Sequence, residues 1–311
     1  MPVNVQTRAY IEMMSEGEKQ PLEEREPTEV REEVEQKAAD IAPEPEAVAE
    51  IDNRTIPGPV GAIPIRIYRP EGTGPFPILV YFHGGGWVVG SLETVDFICR
   101  NLANGADCIV VSVAYRLAPE HKFPAAAEDA YAATKWAAEN AAAIGGSDGK
   151  IALAGDSAGG NLAAVVALMA RDKGEPSLRY QVLFYPVTHY GFDTQSYEQC
   201  AEGYLLSRED MIWFWNCYLA SPENGDRPYA SPLLAKDLSN LPPALIITAE
   251  YDVLRDEGEM YGDRLIVAGV SAKTTRYRGT VHGFLNAAKY IDQGWEALAE
   301  AAAELRKVFQ V

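Results

Sequence analysis

The 311-residue sequence has little of what marks secreted, membrane-spanning or metal-stabilised proteins. Its N-terminus lacks a basic segment followed by an apolar run, and no stretch of about twenty uncharged apolar residues occurs. The few cysteines show neither CxxC spacing nor a paired framework, so we expect buried free thiols at Cys99, Cys108, Cys200 and Cys217. The sequence therefore predicts a cytoplasmic protein with no membrane span and no metal.

Basic residues are also scarce, with 27 Lys and Arg against 45 Asp and Glu, for a formal net charge of −18. Such a surface repels phosphate backbones and anionic lipids, which argues against a nucleic-acid partner, and it favours solubility. Residues 16–50 alone hold 13 acidic and 4 basic residues. Their mixed charges at helical spacing predict a solvated helix over residues 23–37. Together with a short helix at residues 5–14, they make residues 1–50 a helical appendage.

From residue 51 the sequence alternates between apolar runs and helical stretches. β-branched apolar runs, typical of buried strands, occur at residues 77–82, 108–115, 151–154, 182–185 and 244–248. A short strand is also expected at residues 63–68, and residues 272–277 are strand-like. Helical stretches lie at residues 125–143, 158–172, 257–268 and 297–309. This alternation predicts an α/β protein with a mostly parallel sheet covered by helices on both faces.

One segment, from residue 188 to about 240, interrupts the alternation. It contains no convincing strand, but it holds several prolines and an aromatic cluster at Trp213, Phe214, Trp215 and Tyr218. The natural interpretation is an insertion with its own helix. That helix either packs peripherally on the core or covers a pocket as a lid, and the periodicity does not choose between the two.

A G-x-S-x-G pattern places Ser157 at its centre, between Gly155 and Gly159. The pattern alone recurs by chance, but here a strand-like run precedes it and a helical stretch follows at once. This is the context of a nucleophile elbow, a turn so sharp that bulkier flanking residues would clash. We therefore predict that Ser157 is a nucleophile at a helix N-terminus, with Asp156 as a supporting residue.

A glycine-rich loop, HGGGW, directly follows an apolar strand-like run upstream of the elbow. Alone it would indicate a flexible turn. With the elbow it indicates an oxyanion hole, a set of N–H donors that stabilises the negative charge formed in acyl transfer. We predict that the N–H groups of Gly85, Gly86 and Ala158 are these donors. His83 and Gly84 are expected to support the loop.

A serine nucleophile needs a base, and the sequence offers four histidines. The triad on this fold runs serine, acid, histidine along the chain, which excludes His83 and His121. His189 leaves little room after Ser157 for a strand that carries the acid. His282 is therefore the predicted base.

The acid is expected just past the strand at residues 244–248. Glu250, Asp252 and Asp256 compete for this role. Glu250 is close to the strand end, and Asp256 falls in the first turn of the next helix, where a carboxylate usually only complements the helix dipole. Asp252 lies between them and is best placed to turn toward His282.

Five motifs in this order resemble the hormone-sensitive lipase family of carboxylesterases over nearly the whole chain: HGGGW at 83–87, YRLAPEHKFPAA at 115–126, GDSAGGNLA at 155–163, AEYDVLRDEG at 249–258 and HGF at 282–284. The resemblance implies an α/β-hydrolase fold with an eight-stranded sheet, and frequently a homodimer paired through the sheet edge. It also implies a helical cap from residues 1–50 and 188–220, which leaves residues 51–187 and 221–311 as the two parts of the core.

The resemblance further implies hydrolysis of small-molecule esters with short to medium acyl chains and no cofactor. Ser157, Asp252 and His282 would act through an acyl-enzyme. An amidase or peptidase would use the same triad, and a ligand-binding relative could keep the pocket without the chemistry. Haloalkane or epoxide cleavage needs a carboxylate nucleophile, which Ser157 excludes.

Overall fold

The computed structural model describes residues 2–16 and 20–310 of the chain. Residues 1 and 17–19 of the predicted N-terminal segment, and residue 311 of the second core part, lie outside this description. The strands of the described residues are β1 (Glu50–Pro57), β2 (Ala62–Arg69), β3 (Phe76–Phe82), β4 (Ile109–Val113), β5 (Gly146–Asp156), β6 (Tyr180–Phe184), β7 (Ala244–Tyr251) and β8 (Ala272–Val281).

These strands form one eight-stranded sheet in the order β1-β2-β4-β3-β5-β6-β7-β8. The pairs that involve β2 are antiparallel, and every other pair is parallel. The helices are α1 (Val5–Met14), α2 (Pro27–Ile41), α3 (Asp96–Ala106), α4 (Ala125–Glu139), α5 (Ala158–Lys173), α6 (Gln195–Gln199), α7 (Arg208–Tyr218), α8 (Arg255–Val267) and α9 (Gln293–Phe309).

The core lies on both faces of the sheet because side chains alternate along each strand. In β3, Ile78, Val80 and Phe82 join the cluster that α4, α5 and α8 cover. Leu79 and Tyr81 point the other way, into the cluster covered by α3 and α9. The predicted fold class, a mostly parallel sheet between two helical layers, is confirmed.

The sequence does not predict β1, α3 or the short α6. β1 is a mostly exposed edge strand whose polar residues hide the strand pattern, and it is held by antiparallel pairing with β2. α3 is amphipathic and buries one face only. In addition, the predicted helix at residues 23–37 begins later, at Pro27, and runs to Ile41.

The segment between β6 and β7 contains no strand at residues 188–240, all of which the structure describes. It forms α6, α7 and short 3₁₀ turns. Of the four cysteines, three are buried free thiols as expected, whereas Cys217 is only partly buried. Among the residues that the structure describes, no helix is long and apolar enough to cross a membrane.

Candidate active site

Ser157 lies in the turn between β5 and α5, with backbone angles φ 56° and ψ −119°. A positive φ is strained for a residue other than glycine, and it is typical of a nucleophile elbow. The flanking glycines have no room for a side chain. A Cβ on Gly155 would lie 2.7 Å from the Phe82 carbonyl oxygen, and one on Gly159 2.6 Å from that of His83.

His282 lies between Ser157 and Asp252. Its Nε2 is 3.0 Å from the Ser157 Oγ, and its Nδ1 is 2.7 Å from the Asp252 Oδ2. Asp252 is 1% exposed, and its other oxygen accepts a hydrogen bond from the Leu254 backbone N–H at 2.9 Å. Because β7 and β8 are parallel neighbours, the loops that follow them meet at one sheet edge and bring this acid to this histidine.

The two rival acids point elsewhere. Glu250 accepts a hydrogen bond from the Gly279 backbone N–H at 2.7 Å. Asp256, in the first turn of α8, accepts one from the Ser196 backbone N–H at 2.7 Å and pairs with Arg255. The geometry therefore favours Asp252 as the partner of His282.

The glycine-rich loop is fixed to the elbow through Asp156. One oxygen of this buried carboxyl accepts hydrogen bonds from the Gly84 backbone N–H at 3.0 Å and from the Tyr81 hydroxyl at 2.9 Å. The Tyr115 hydroxyl donates to the His83 carbonyl oxygen at 2.7 Å. Neither tyrosine was singled out from the sequence, because each appears there only as an apolar residue in or after a strand.

The three predicted oxyanion donors have N–H groups to which no other described residue offers an acceptor. Ala158 is the first residue of α5, where a helix leaves its N–H groups free. Gly85 and Gly86 have φ of 107° and 57°, which favour glycine. A Cβ on Gly86 would also strike the ring of Phe214 from α7, so that aromatic side chain packs directly over the loop.

The N-terminal helices and α7 surround this loop. Arg31 of α2 donates to the carbonyl oxygens of Val88 at 2.7 Å and Ala118 at 2.8 Å. The Trp87 ring stacks on Tyr218 of α7 with centroids 4.1 Å apart. α7 is thus packed on the core, as a peripheral helix would be, and it also borders the glycine loop, as a lid would.

A cavity of about 220 Å³ lies beside the elbow and the glycine loop, under α1 and α2. Its walls include Met14, Val34 and Ile41 from the N-terminal helices and Asp156 from the elbow. The fold and this arrangement define the class of the protein, an α/β-hydrolase with a serine–histidine–aspartate site.

Comparisons with known proteins agree with this class. The family model described as the alpha/beta hydrolase fold matches residues 79–286. The carboxylic ester hydrolase LipN of Mycobacterium tuberculosis is 49% identical over 251 residues, 78% of this chain and 66% of that protein, so the chain spans just under two thirds of it. Carboxylesterase NlhH from the same organism is 44% identical over 249 residues, 79% of this chain and 78% of that protein.

Solved structures give the same result. A hyperthermophilic esterase from the archaeon Pyrobaculum calidifontis is 46% identical with a TM-score of 0.92, over 99% of each chain. The ester-hydrolase EH1AB1 from the metagenome of Lake Arreo, solved with a bipyridine phosphonate derivative, is 41% identical with a TM-score of 0.96, over 99% of this chain and 100% of that one. The chain belongs to the α/β-hydrolase carboxylesterase family, as the resemblance implied, and it is a serine carboxylic ester hydrolase.

Proposed function

We propose that Ser157, His282 and Asp252 hydrolyse carboxylic esters through an acyl-enzyme. The observation that supports this most is the hydrogen-bonded series from the Ser157 Oγ through His282 to Asp252, at 3.0 and 2.7 Å. His282 takes the serine proton as the hydroxyl attacks the ester carbonyl, and it then protonates the leaving alcohol. Water, activated in the same way, releases the acid. Asp252 orients the imidazole and stabilises its charged form.

The negative charge on the former carbonyl oxygen is stabilised in this proposal by the N–H groups of Gly85, Gly86 and Ala158. Donors fixed in advance are worth about 3 kcal/mol each in a water-poor site. Asp156 and Gly84 support the loop through their hydrogen bond, and His83 supports it through its contact with Tyr115.

The substrates we propose are small-molecule esters with short to medium acyl chains. What supports this is the cavity next to Asp156 and Gly85, because apolar side chains of α1 and α2 form part of its wall. Residues 1–50 and 188–220 act as the cap over this site, with residues 51–187 and 221–311 as the core. We place the protein in the reducing cytoplasm, as a homodimer; its four free cysteines are compatible with that compartment.

The test is hydrolysis of p-nitrophenyl esters from acetate to palmitate by the wild type and by Ser157→Ala. We expect turnover of the short esters by the wild type and a loss of at least a thousandfold in the variant, because the nucleophile is gone. Paired ester and amide substrates separate an esterase from an amidase or peptidase. A wild type as inert as the variant would instead indicate a ligand-binding relative.

A further inference from the structure

Glu257, in the first turn of α8, is a fully buried carboxyl that the proposed chemistry does not use. Its Oε1 accepts hydrogen bonds from the backbone N–H groups of Thr188 at 2.6 Å and His189 at 3.1 Å. The Thr188 hydroxyl in turn donates to the Glu257 carbonyl oxygen at 2.8 Å. Since burying a carboxyl is costly, this side chain needs an explanation beyond packing.

The segment that Glu257 holds also contacts the nucleophile. The Ser157 backbone N–H donates to the Phe184 carbonyl oxygen at 2.9 Å, and the Val187 N–H donates to the Ser157 carbonyl oxygen at 3.3 Å. The Asn161 side chain of α5 donates to the Val187 carbonyl oxygen at 2.9 Å. Residues 184–187 are therefore fixed to the elbow, and Thr188 follows them directly.

The segment that carries Glu257 also carries the acid. Asp252 binds the backbone of Leu254 in the same turn, and Arg255 donates to the Glu250 carbonyl oxygen at 2.9 Å, so residues 250–257 form one braced unit. Asp252 in turn holds His282.

The sheet does not connect these two segments. Residue pairing between β6 and β7 ends at Phe184 and Ile247, and one further bond joins the Tyr185 N–H to the Ile247 carbonyl oxygen at 2.5 Å. Beyond this point the two loops leave the sheet. The bonds of Glu257 with Thr188 and His189 join them directly after the residues that are fixed to the elbow. Further along the first loop, Ser196 and Gln199 also bind residues 253–256.

We propose that Glu257 is a positioning residue that holds the Asp252–His282 pair at attacking distance from Ser157. The inference rests on the proposed function. The series of contacts runs from Ser157 through Val187 and Thr188 to Glu257, and through its segment to Asp252. Small displacements of reacting groups matter, because about 1 Å can cost about a hundredfold in rate.

The surroundings of Glu257 favour its neutral form. Burial raises the pKa of this carboxyl well above its usual value, and the nearby carboxylates of Asp252 and Asp256 raise it further, against the opposing effect of the two N–H donors. A neutral acid still accepts both hydrogen bonds through Oε1. Glutamine is then its closest mimic, since it retains that acceptor and carries no charge.

The experiment compares Glu257→Leu, which fills the space but accepts no hydrogen bond, with Glu257→Gln. The matched control is Glu259→Leu on the same helix, whose carboxyl instead binds Thr248 at 2.9 Å and pairs with Arg276. Each variant is titrated to completion with a phosphonate that reacts once with the active serine. The values of kcat per titrated site and KM are then measured on p-nitrophenyl acetate.

We expect kcat per titrated site to fall at least tenfold in Glu257→Leu with KM within about threefold of the wild type. Glu257→Gln should stay within about threefold, and the Glu259 variant within about twofold. A merely structural role would lower the titrated fraction and leave kcat per site unchanged, which would overturn the proposal. An equal fall in Glu257→Gln would overturn it too.

If Glu257→Leu does not fold, the variant Thr188→Val tests the proposal instead. It removes the hydroxyl bond to the Glu257 carbonyl oxygen and keeps the side-chain shape. We expect kcat per titrated site to fall about threefold; an unchanged value overturns the proposal. A failure of the proposed function itself looks different, because the wild type would then react with neither the ester nor the phosphonate.

Discussion

His83 is a buried histidine beside the glycine loop, for which we propose a supporting role and not that of a base. It is 1% exposed, its Nδ1 lies 2.7 Å from the Gly84 carbonyl oxygen, and its ring stacks on Tyr115 with centroids 4.3 Å apart. Burial lowers the pKa of His83 to about 4 from the ordinary 6.5. The imidazole is therefore neutral in the folded protein at neutral pH, which suits a residue that supports the glycine loop.

This burial predicts a contribution to acid sensitivity. The unfolded chain binds a proton at this imidazole near pH 6.5 and the folded chain only near pH 4, so stability falls as the pH drops through that window. Between pH 7.5 and 5.0, urea unfolding of the wild type should lose about 2 kcal/mol more than that of His83→Gln. If the free energy of unfolding falls equally in the two proteins, burial of His83 is not the cause of the acid sensitivity.

The carboxyl group next to His282 shows what residue-level reasoning could and could not decide. The sequence limited the choice to Glu250, Asp252 and Asp256, because all three follow the predicted strand at residues 244–248, and it favoured Asp252 by its place in the loop. The structure points only Asp252 at His282. The choice depends on how the loop turns after β7 and on Gly279 and Ser196, which bind the other two carboxyls from distant parts of the chain.

At the scale of elements, α7 is held by a lysine from another segment. The Nζ of Lys122 donates to three carbonyl oxygens at the C-terminal end of α7, those of Asn216 at 3.0 Å, Cys217 at 2.9 Å and Leu219 at 2.9 Å. A cation at a helix C-terminus satisfies free carbonyl groups and complements the helix dipole. α7 also places Phe214 over Gly86. The position of this helix therefore affects the glycine loop of the candidate site.

We expect Lys122→Met to lower the free energy of unfolding by about 2 kcal/mol, because charge-assisted hydrogen bonds to the α7 carbonyl groups are lost. Urea unfolding measures this. The control is Lys135→Met on α4, whose ion pairs with Glu139 and Glu175 are at the surface and should contribute nothing measurable. A Lys122 variant as stable as the control would rule out this anchor.

At the scale of the whole molecule, the two edges of the sheet differ. β1 forms one edge and β8 the other. α8, which packs on β8, exposes Met260, Ile266 and Val267, the last of them 88% exposed. A sheet edge with exposed apolar side chains on the adjacent helix is typical of a surface that pairs with a second copy.

If the proposed homodimer forms at this edge, light scattering after size exclusion will give twice the chain mass of 33.9 kDa. The double variant Ile266→Glu with Val267→Glu should then be a monomer, because charges face each other across a symmetric interface. Val60→Glu, at an apolar side chain that is also exposed but lies at the turn between β1 and β2, should remain a dimer. A monomeric wild type would rule out the dimer.

The sequence by itself predicted the layered sheet, most of its buried strands, the elbow at Ser157 and His282 as the candidate base. These follow from local patterns: apolar runs, glycines at a sharp turn and chain order. Only the tertiary structure decided which acid meets His282, that Asp156 and Tyr81 hold the glycine loop, and that Glu257 joins two loops beyond the end of the β6–β7 ladder. Such contacts join residues that lie far apart in the chain, and local sequence patterns do not predict which distant residues come together.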